Sequence, residues 1–285
     1  AERKQKQFVQ GAFSRYVSPE VVKQLMDRPE ALSISGSKRE VSFIFTDIAG
    51  FTTMSEALSS EKLSEVLNEY LDGACQIILG FEGTVDKFIG DAIMTIFNAP
   101  LEQADHATRA VQCALALDVY AEAFRKKQND LGIPIGETRI GVHTGFATIG
   151  NFGSQSRMDY TALGDTVNTA ARTEGVNKYF GTRVCCTEQT VNQAPEQRFR
   201  KIGDVVLKGK IEAVGLFSPV TQTEYDSALN KDYQTFYSLL QQADVVTATP
   251  ADRRAAADSK LADSVTMHTA TRGASMSAES YAAAQ

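Results

Sequence analysis

The stretch VDKFIGDAIMTIF, residues 85–97, decides the architecture. Two runs rich in β-branched and aromatic residues flank the pair Gly90-Asp91, the signature of antiparallel strands joined by a tight turn. On its N-terminal side, Ser60 to Leu79 sets Leu63, Val66, Leu67, Tyr70, Leu71, Ala74, Ile77 and Ile78 at three- and four-residue steps, which predicts an amphipathic helix. Before that helix, REVSFIF (39–45) suits a buried strand. On the C-terminal side an alanine-rich helix is predicted over 105–127, then strands at 137–143, 145–150 and about 157–162. A helix over 164–177 follows, with short strands at 183–187, 203–208 and 213–220. The order β-α-β-β-α-β is that of a ferredoxin-like core, an α+β fold with additional C-terminal strands and helices. One domain is expected over about 36–220.

Residues 1–35 read as a helical lead-in, in which Ser18-Pro19-Glu20 offers a capping hydroxyl, a proline at the first helical position and an acid in the first turn. Residues 221–246 carry enough apolar side chains for one amphipathic helix, whereas 247–285 are rich in Ala, Ser and Thr and are expected to be disordered. Of the 285 residues 43% are hydrophobic and 22% charged, the balance of a soluble globular chain. Lys and Arg number 29 against 35 Asp and Glu, a net charge of −6 that gives no sign of a nucleic-acid surface. There is no run of 18 apolar residues, and AERKQKQ at the N-terminus is no signal peptide. Cys75, Cys113, Cys185 and Cys186 lack metal-ligand spacing and read as free thiols in a reducing, cytoplasmic setting.

Two carboxylates stand out. Asp47 ends the apolar strand, and Asp91 lies in the hairpin turn. If strand and hairpin pair side by side, both acids meet at one sheet edge and repel unless a cation such as Mg²⁺ or Mn²⁺ lies between them; the alternative is a turn-forming Asp at each place. After Asp47, Ile48-Ala49-Gly50-Phe51-Thr52 can aim backbone N–H groups at an anion, or simply turn. In YTALGDTVNTAAR (160–172), Asn168 and Arg172 stand four residues apart on one helix face, where an amide and a guanidinium suit charge on a phosphoryl group. A solvated helix face is the alternative. Lys208, at a strand end before Gly209-Lys210, could hold terminal phosphates or serve solubility alone. His143 reads as a core histidine, and His106 and His268 give no pattern.

Taken together, FTDIAGFT (45–52), DKFIGDAIM (86–94), GVHTG (141–145), YTALGDTVNTAAR (160–172) and VLKGK (206–210) resemble the class III adenylate and guanylate cyclases, in family order and spacing. The resemblance implies a head-to-tail homodimer with two composite active sites at its interface. It implies that Asp47, Asp91 and the Ile48 carbonyl hold two divalent cations, Mg²⁺ or Mn²⁺, and that Gly50, Phe51 and Thr52 cradle the β/γ-phosphates. From the other subunit, Asn168 and Arg172 would orient the ribose and stabilise the transition state, and Lys208 would meet the terminal phosphate. Lys87 and Thr161 match the adenine-selecting pair of the family, so the expected substrate is ATP and the product cyclic AMP. Threonine at 161 also resembles a subgroup activated by bicarbonate. The lead-in resembles segments that follow an upstream sensor region, which would place the domain in the cytoplasm or on the cytoplasmic face of a membrane. A guanylate cyclase and a catalytically silent regulatory module are the rivals; the GG[DE]EF loop of diguanylate cyclases is absent.

Overall fold

A computed structural model describes residues 35–238, except 155, 157, 209, 228, 229 and 236. The predicted lead-in over 1–35 lies outside the described residues but for Ser35, and so do His268 and the tail from 247. In chain order the elements are β1 (Ser35–Ile48), α1 (Phe51–Ala57), α2 (Ser60–Gly80), β2 (Thr84–Ile89), β3 (Ala92–Phe97), α3 (His106–Asp130), β4 (Thr138–Gly153) and β5 (Met158–Leu163). They continue with α4 (Asp165–Phe180), β6 (Val184–Thr187), α5 (Glu188–Asn192), β7 (Arg198–Val205), β8 (Val214–Val220) and α6 (Gln222–Asp226).

The hairpin forms as the 85–97 pattern predicts. β2 pairs with β3, β3 with β1 and β1 with β4, all antiparallel, in the order β2-β3-β1-β4. That is the sheet of a ferredoxin-like core. β6 extends it by pairing parallel to the start of β4, and β8 and β7 follow outward. β5 pairs with the end of β4.

β1 is central, and its alternation shows why. Val41, Phe43 and Phe45 enter one cluster with Met94, Ile96, Ala147 and Ile149, while Ile44 and Ile48 enter the larger cluster on the other face, under α2 and α3. Ala170 of α4 covers the first cluster. Helix α2 starts at Ser59, whose hydroxyl accepts from the Lys62 N–H at 3.3 Å. It buries Val66, Tyr70, Ala74 and Ile78, each one turn from the next, and each large one contributes about 1.5–3 kcal/mol.

Three local expectations are corrected. The strands expected at 137–143 and 145–150 are one strand of 16 residues, because β1 pairs along its whole length, through Gly141 and Gly145 alike. The strand expected over 203–208 starts earlier, at Arg198, and stops at Val205; Leu207 instead plugs a small cluster with Val176, Cys185, Ile202 and Leu216. The helix expected over 221–246 breaks at Ser227, whose backbone is extended, and helical structure resumes at Asn230.

A chain of buried side-chain hydrogen bonds crosses this sheet. The Ser42 hydroxyl lies 2.8 Å from His106 Nδ1 and 2.7 Å from the Thr144 hydroxyl, which meets Thr190 at 3.1 Å. Thr190 is 3.4 Å from Thr187, and Thr187 is 2.8 Å from His143 Nδ1. His143 is therefore a satisfied core histidine, as its place in the sequence suggested. Burial, aided by the Lys210 charge, pushes it from 6.5 down to about 4, and burial lowers His106 as well.

Two outcomes follow for the scaffold. At Gly141 an added Cβ would stand 2.1 Å from the Glu174 backbone nitrogen, so α4 rests directly on the glycine. Gly141→Ala is expected to lower unfolding stability by about 1–3 kcal/mol in urea denaturation, since backbone must move. As pH falls through 6.5 the unfolded chain takes up a proton at His143, whereas the folded chain does so only near 4. The His143 share of stability is expected to drop by roughly 3 kcal/mol across that window as pH falls, opposed by the raised Glu174 carboxyl, so the check is the NMR titration of the ring; a midpoint near 6.5 would show the imidazole titrating normally.

Candidate active site

The end of β1 and the turn of the β2–β3 hairpin meet. The Ile48 N–H donates to Asp91 Oδ2 at 2.8 Å, which fixes the hairpin turn against the strand terminus. Asp91 is buried and Asp47 half-buried. Burial raises the Asp47 carboxyl above its ordinary range and the neighbouring Asp91 charge raises it further, with Arg139, opposite it in the β1–β4 register, pulling back. Burial raises Asp91 too, against the hydrogen bonds from the Ile48 N–H and its own. A third acid joins them from α4: burial and the Asp47 charge push Glu174 up to about 7, and its Oε1 is buried without a hydrogen-bond partner.

This arrangement fits a hard divalent cation. Two carboxylates that repel each other and a carbonyl at the strand end supply oxygen donors, and a cation would relieve the repulsion. Among the described residues no group of three or more His, Cys, Asp or Glu forms a ligand set. Beside the pair, Gly50 takes φ 72°, a left-handed conformation that favours glycine, and caps α1. Phe51 is half-buried and Thr52 exposed.

The other predicted residues sit apart from the acids. Asn168 is exposed on α4 and Arg172 half-buried, one turn further on. One guanidinium nitrogen of Arg172, Nη1, is buried with no hydrogen-bond partner, a donor left for an incoming acceptor. Lys208 is exposed in the turn after β7. That turn is closed by the Lys210 N–H donating to the Leu207 carbonyl at 2.8 Å. The Lys210 ammonium also pairs with the Asp165 carboxylate in the first turn of α4, so the segment bearing Lys208 is tied to the helix bearing Asn168 and Arg172. Lys87 lies on β2 and Thr161 on β5; both contact Asp86. No hydrogen bond or ion pair joins Asn168, Arg172, Lys208, Lys87 or Thr161 to Asp47 or Asp91 among the described residues of this one chain.

Sequence reasoning missed Glu174, Arg139, Asp86 and the Asp165–Lys210 pair. Glu174 and Arg139 become neighbours of Asp47 only through packing. Asp86 did leave a trace: an acid inside the β-rich run VDKFI breaks its alternation.

A ferredoxin-like sheet whose central strand ends in paired buried carboxylates, with a guanidinium, an amide and a lysine offered from a separate helix and turn, is the architecture of a class III nucleotidyl cyclase catalytic domain. The chain belongs to the adenylate and guanylate cyclase catalytic-domain family, whose model matches residues 34–225. It is 38% identical over 223 residues to adenylate cyclase 1 of Rhizobium meliloti (strain 1021), covering 76% of this chain and 34% of that protein. An adenylate cyclase of Anabaena cylindrica is 36% identical, covering 64% of this chain and 37% of its own length. The chain thus spans about a third of the length of these relatives. Among solved structures it is similar to the adenylyl cyclase CyaB from P. aeruginosa, with TM-score 0.61, 33% identity, and coverage of 66% of this chain and 97% of that one. It is also similar to the guanylyl cyclase Cya2, with TM-score 0.60, 31% identity, and coverage of 66% and 96%. Catalytic domains of this family use divalent metals.

Replacing one repelling acid tests the metal assignment. Asp47→Asn is expected to leave the metal-free protein as stable as the wild type or more so, by up to about 1 kcal/mol, because a neutral isostere relieves the buried repulsion. The same change is expected to abolish the rise in melting temperature that Mn²⁺ gives the wild type. An undiminished Mn²⁺ shift in Asp47→Asn would remove this carboxylate from the site.

Proposed function

We propose that the chain is an adenylate cyclase domain that converts ATP to 3′,5′-cyclic AMP and pyrophosphate at sites shared between two head-to-tail copies. The observation that carries this is the Asp47–Asp91 pair, held by the Ile48 N–H, to which Asn168, Arg172 and Lys208 make no hydrogen bond or ion pair among the described residues. A second copy would bring its Asn168, Arg172 and Lys208 to that pair, and each homodimer would then contain two equivalent sites.

The reaction is an in-line attack of the ribose 3′-oxygen on the α-phosphorus, with pyrophosphate leaving. Two divalent cations held by Asp47, Asp91 and the Ile48 carbonyl would supply the charge that acidifies the 3′-hydroxyl and offsets the triphosphate. The backbone N–H groups of Gly50, Phe51 and Thr52 hold the β- and γ-phosphates, and Lys208 adds a point charge at the terminal one. Asn168 orients the ribose. Arg172 donates to the α-phosphate oxygens as charge builds there, which gives its unpartnered Nη1 an acceptor. Lys87 donates to adenine N1, and the Thr161 oxygen accepts from the 6-amino group.

The guanylyl cyclase Cya2 resembles this chain about as closely as the adenylyl cyclase CyaB does, so overall likeness does not choose the base. The pair Lys87 and Thr161 supports adenine. Bicarbonate activation and control by a sensor in a longer chain belong to the same proposal. No helix among the described residues is long and apolar enough to cross a membrane.

Purified protein given Mg-ATP, Mn-ATP or the GTP salts is expected to make cyclic AMP in preference to cyclic GMP. Asp91→Ala is expected to be inactive yet folded, and Arg172→Ala to lose about 10²–10³ in turnover. Mixing Asp47→Ala with Arg172→Ala chains is expected to restore one working site per mixed dimer. No cyclic product from the wild type, or no rescue in demonstrated mixed dimers, would refute the shared-site cyclase.

A further inference from the structure

The side chain of Asp86 is 2% exposed, yet it carries a carboxylate in the middle of an edge strand. In the β2–β3 ladder Val85 faces Thr95 and Lys87 faces Met94, so Asp86 is an extra residue, a bulge. Bulges re-aim side chains, and here the carboxylate reaches two partners. The Thr161 hydroxyl donates to Asp86 Oδ2 at 2.5 Å, and the Lys87 ammonium lies 3.7 Å from Oδ1. Thr161 belongs to β5, which pairs with β4 and so lies four strands away from β2 in the hydrogen-bonded order β2-β3-β1-β4-β5. The contact exists because the β4–β5 hairpin curls across the sheet face, where Ala162 packs with Phe43, Met94 and Ile96. A buried carboxylate is a costly way to fill a bulge, and an apolar side chain would fill it without that cost. Its two partners are the two residues assigned to the purine.

We infer that Asp86 is a specificity-determining positioning residue, which holds Lys87 and Thr161 as one unit and fixes the Thr161 hydroxyl as an acceptor toward the base. This rests on the adenine reading above and adds the mechanism of selection. A hydroxyl has one proton. With that proton committed to Asp86, the lone pairs of Thr161 Oγ1 can accept from the 6-amino group of adenine but have nothing to offer the 6-oxo group of guanine. Freed from Asp86, the same hydroxyl rotates and serves either purine. Burial raises the Asp86 carboxyl above its ordinary range and the nearby Asp159 charge adds to this, against the downward pull of the Thr161 hydroxyl and Lys87, which bond to its ionised form. Lys87 stays half-exposed and keeps donors for the ring.

The test is a double-variant cycle read as kcat/KM for ATP and for GTP with Mn²⁺, using wild type, Asp86→Ala, Asp86→Asn, Thr161→Val and Asp86→Ala combined with Thr161→Val. Asp86→Ala is expected to shrink the ATP-over-GTP ratio about tenfold, through KM for ATP more than kcat. Asp86→Asn, which keeps an acceptor but no charge beside Lys87, is expected to fall between. Adding Asp86→Ala to Thr161→Val is expected to change the ratio no further. An unchanged ratio in both Asp86 variants, or effects that multiply in the double variant, would overturn the inference. If Asp86→Ala does not fold, the isosteric Asp86→Asn, alone and combined with Thr161→Val, decides. A wild type that prefers GTP sinks the adenine reading while the cycle still reports on Asp86. If neither nucleotide turns over, the same cycle is read in their dissociation constants by displacement of a fluorescent ATP analogue.

Discussion

The hydrogen bond from the Ile48 N–H to Asp91 Oδ2 is the constraint around which the domain is arranged. It pins a hairpin turn to the end of the central strand and holds two desolvated carboxylates together, a configuration that raises both of them. Such a pair opposes folding when no cation is present. The scaffold tolerates it because β1 is clamped from both sides: β3 and β4 supply backbone partners, and Phe43 and Ile44, both fully buried, anchor its two faces. Arg139 offsets part of the negative charge from the opposing strand. Destabilisation concentrated at one strand end, over a well-packed core, is what a preorganised cation site requires.

Helix α4 is the second arm. Its middle rests on Gly141 with no side chain between, which brings Glu174 within the field of Asp47 on the buried side. Asn168 is exposed on that helix, and its first turn is tied through Asp165 to Lys210. Asp165 is largely exposed, so the pair contributes only about 0–1 kcal/mol to stability. Its consequence is geometric. Leu207, in the cluster with Val176 of α4, anchors one end of the turn and Lys210 the other, leaving Lys208 outside. Three groups suited to a phosphate chain thereby move with one rigid helix.

Much of this was legible in the residues. The hairpin at 85–97, the stripe on α2 and the apolar run of β1 are local patterns, and local patterns fixed the sheet order. The two carboxylates followed because both sit where a strand ends or turns. What escaped is non-local. The strands expected at 137–143 and 145–150 are one, and the glycine at 141 within it makes room for a helix rather than a turn. The start of β7, RFRKI, alternates weakly because β7 ends the sheet order and its Arg200 and Lys201 meet Asn230, Tyr233 and Tyr237 rather than the core. Asp86 and Thr161 are 75 positions apart, and no periodicity reveals a hairpin folding back across a sheet.

That fold-back also explains why overall likeness is silent on the base. The overall fold is shared with solved structures of an adenylyl and of a guanylyl cyclase alike, and attack at the α-phosphorus makes the same demands of both nucleotides. Purine identity differs only in which edge atoms donate and accept. The groups proposed to face those atoms, Lys87 and Thr161, lie on β2 and on β5 of the curled hairpin, and neither bonds to Asp47 or Asp91 among the described residues. Selection can therefore change through a few side chains on two strands while the catalytic frame stays fixed. The bulge at Asp86 is the point where those two strands become one surface, because a single carboxylate there touches both.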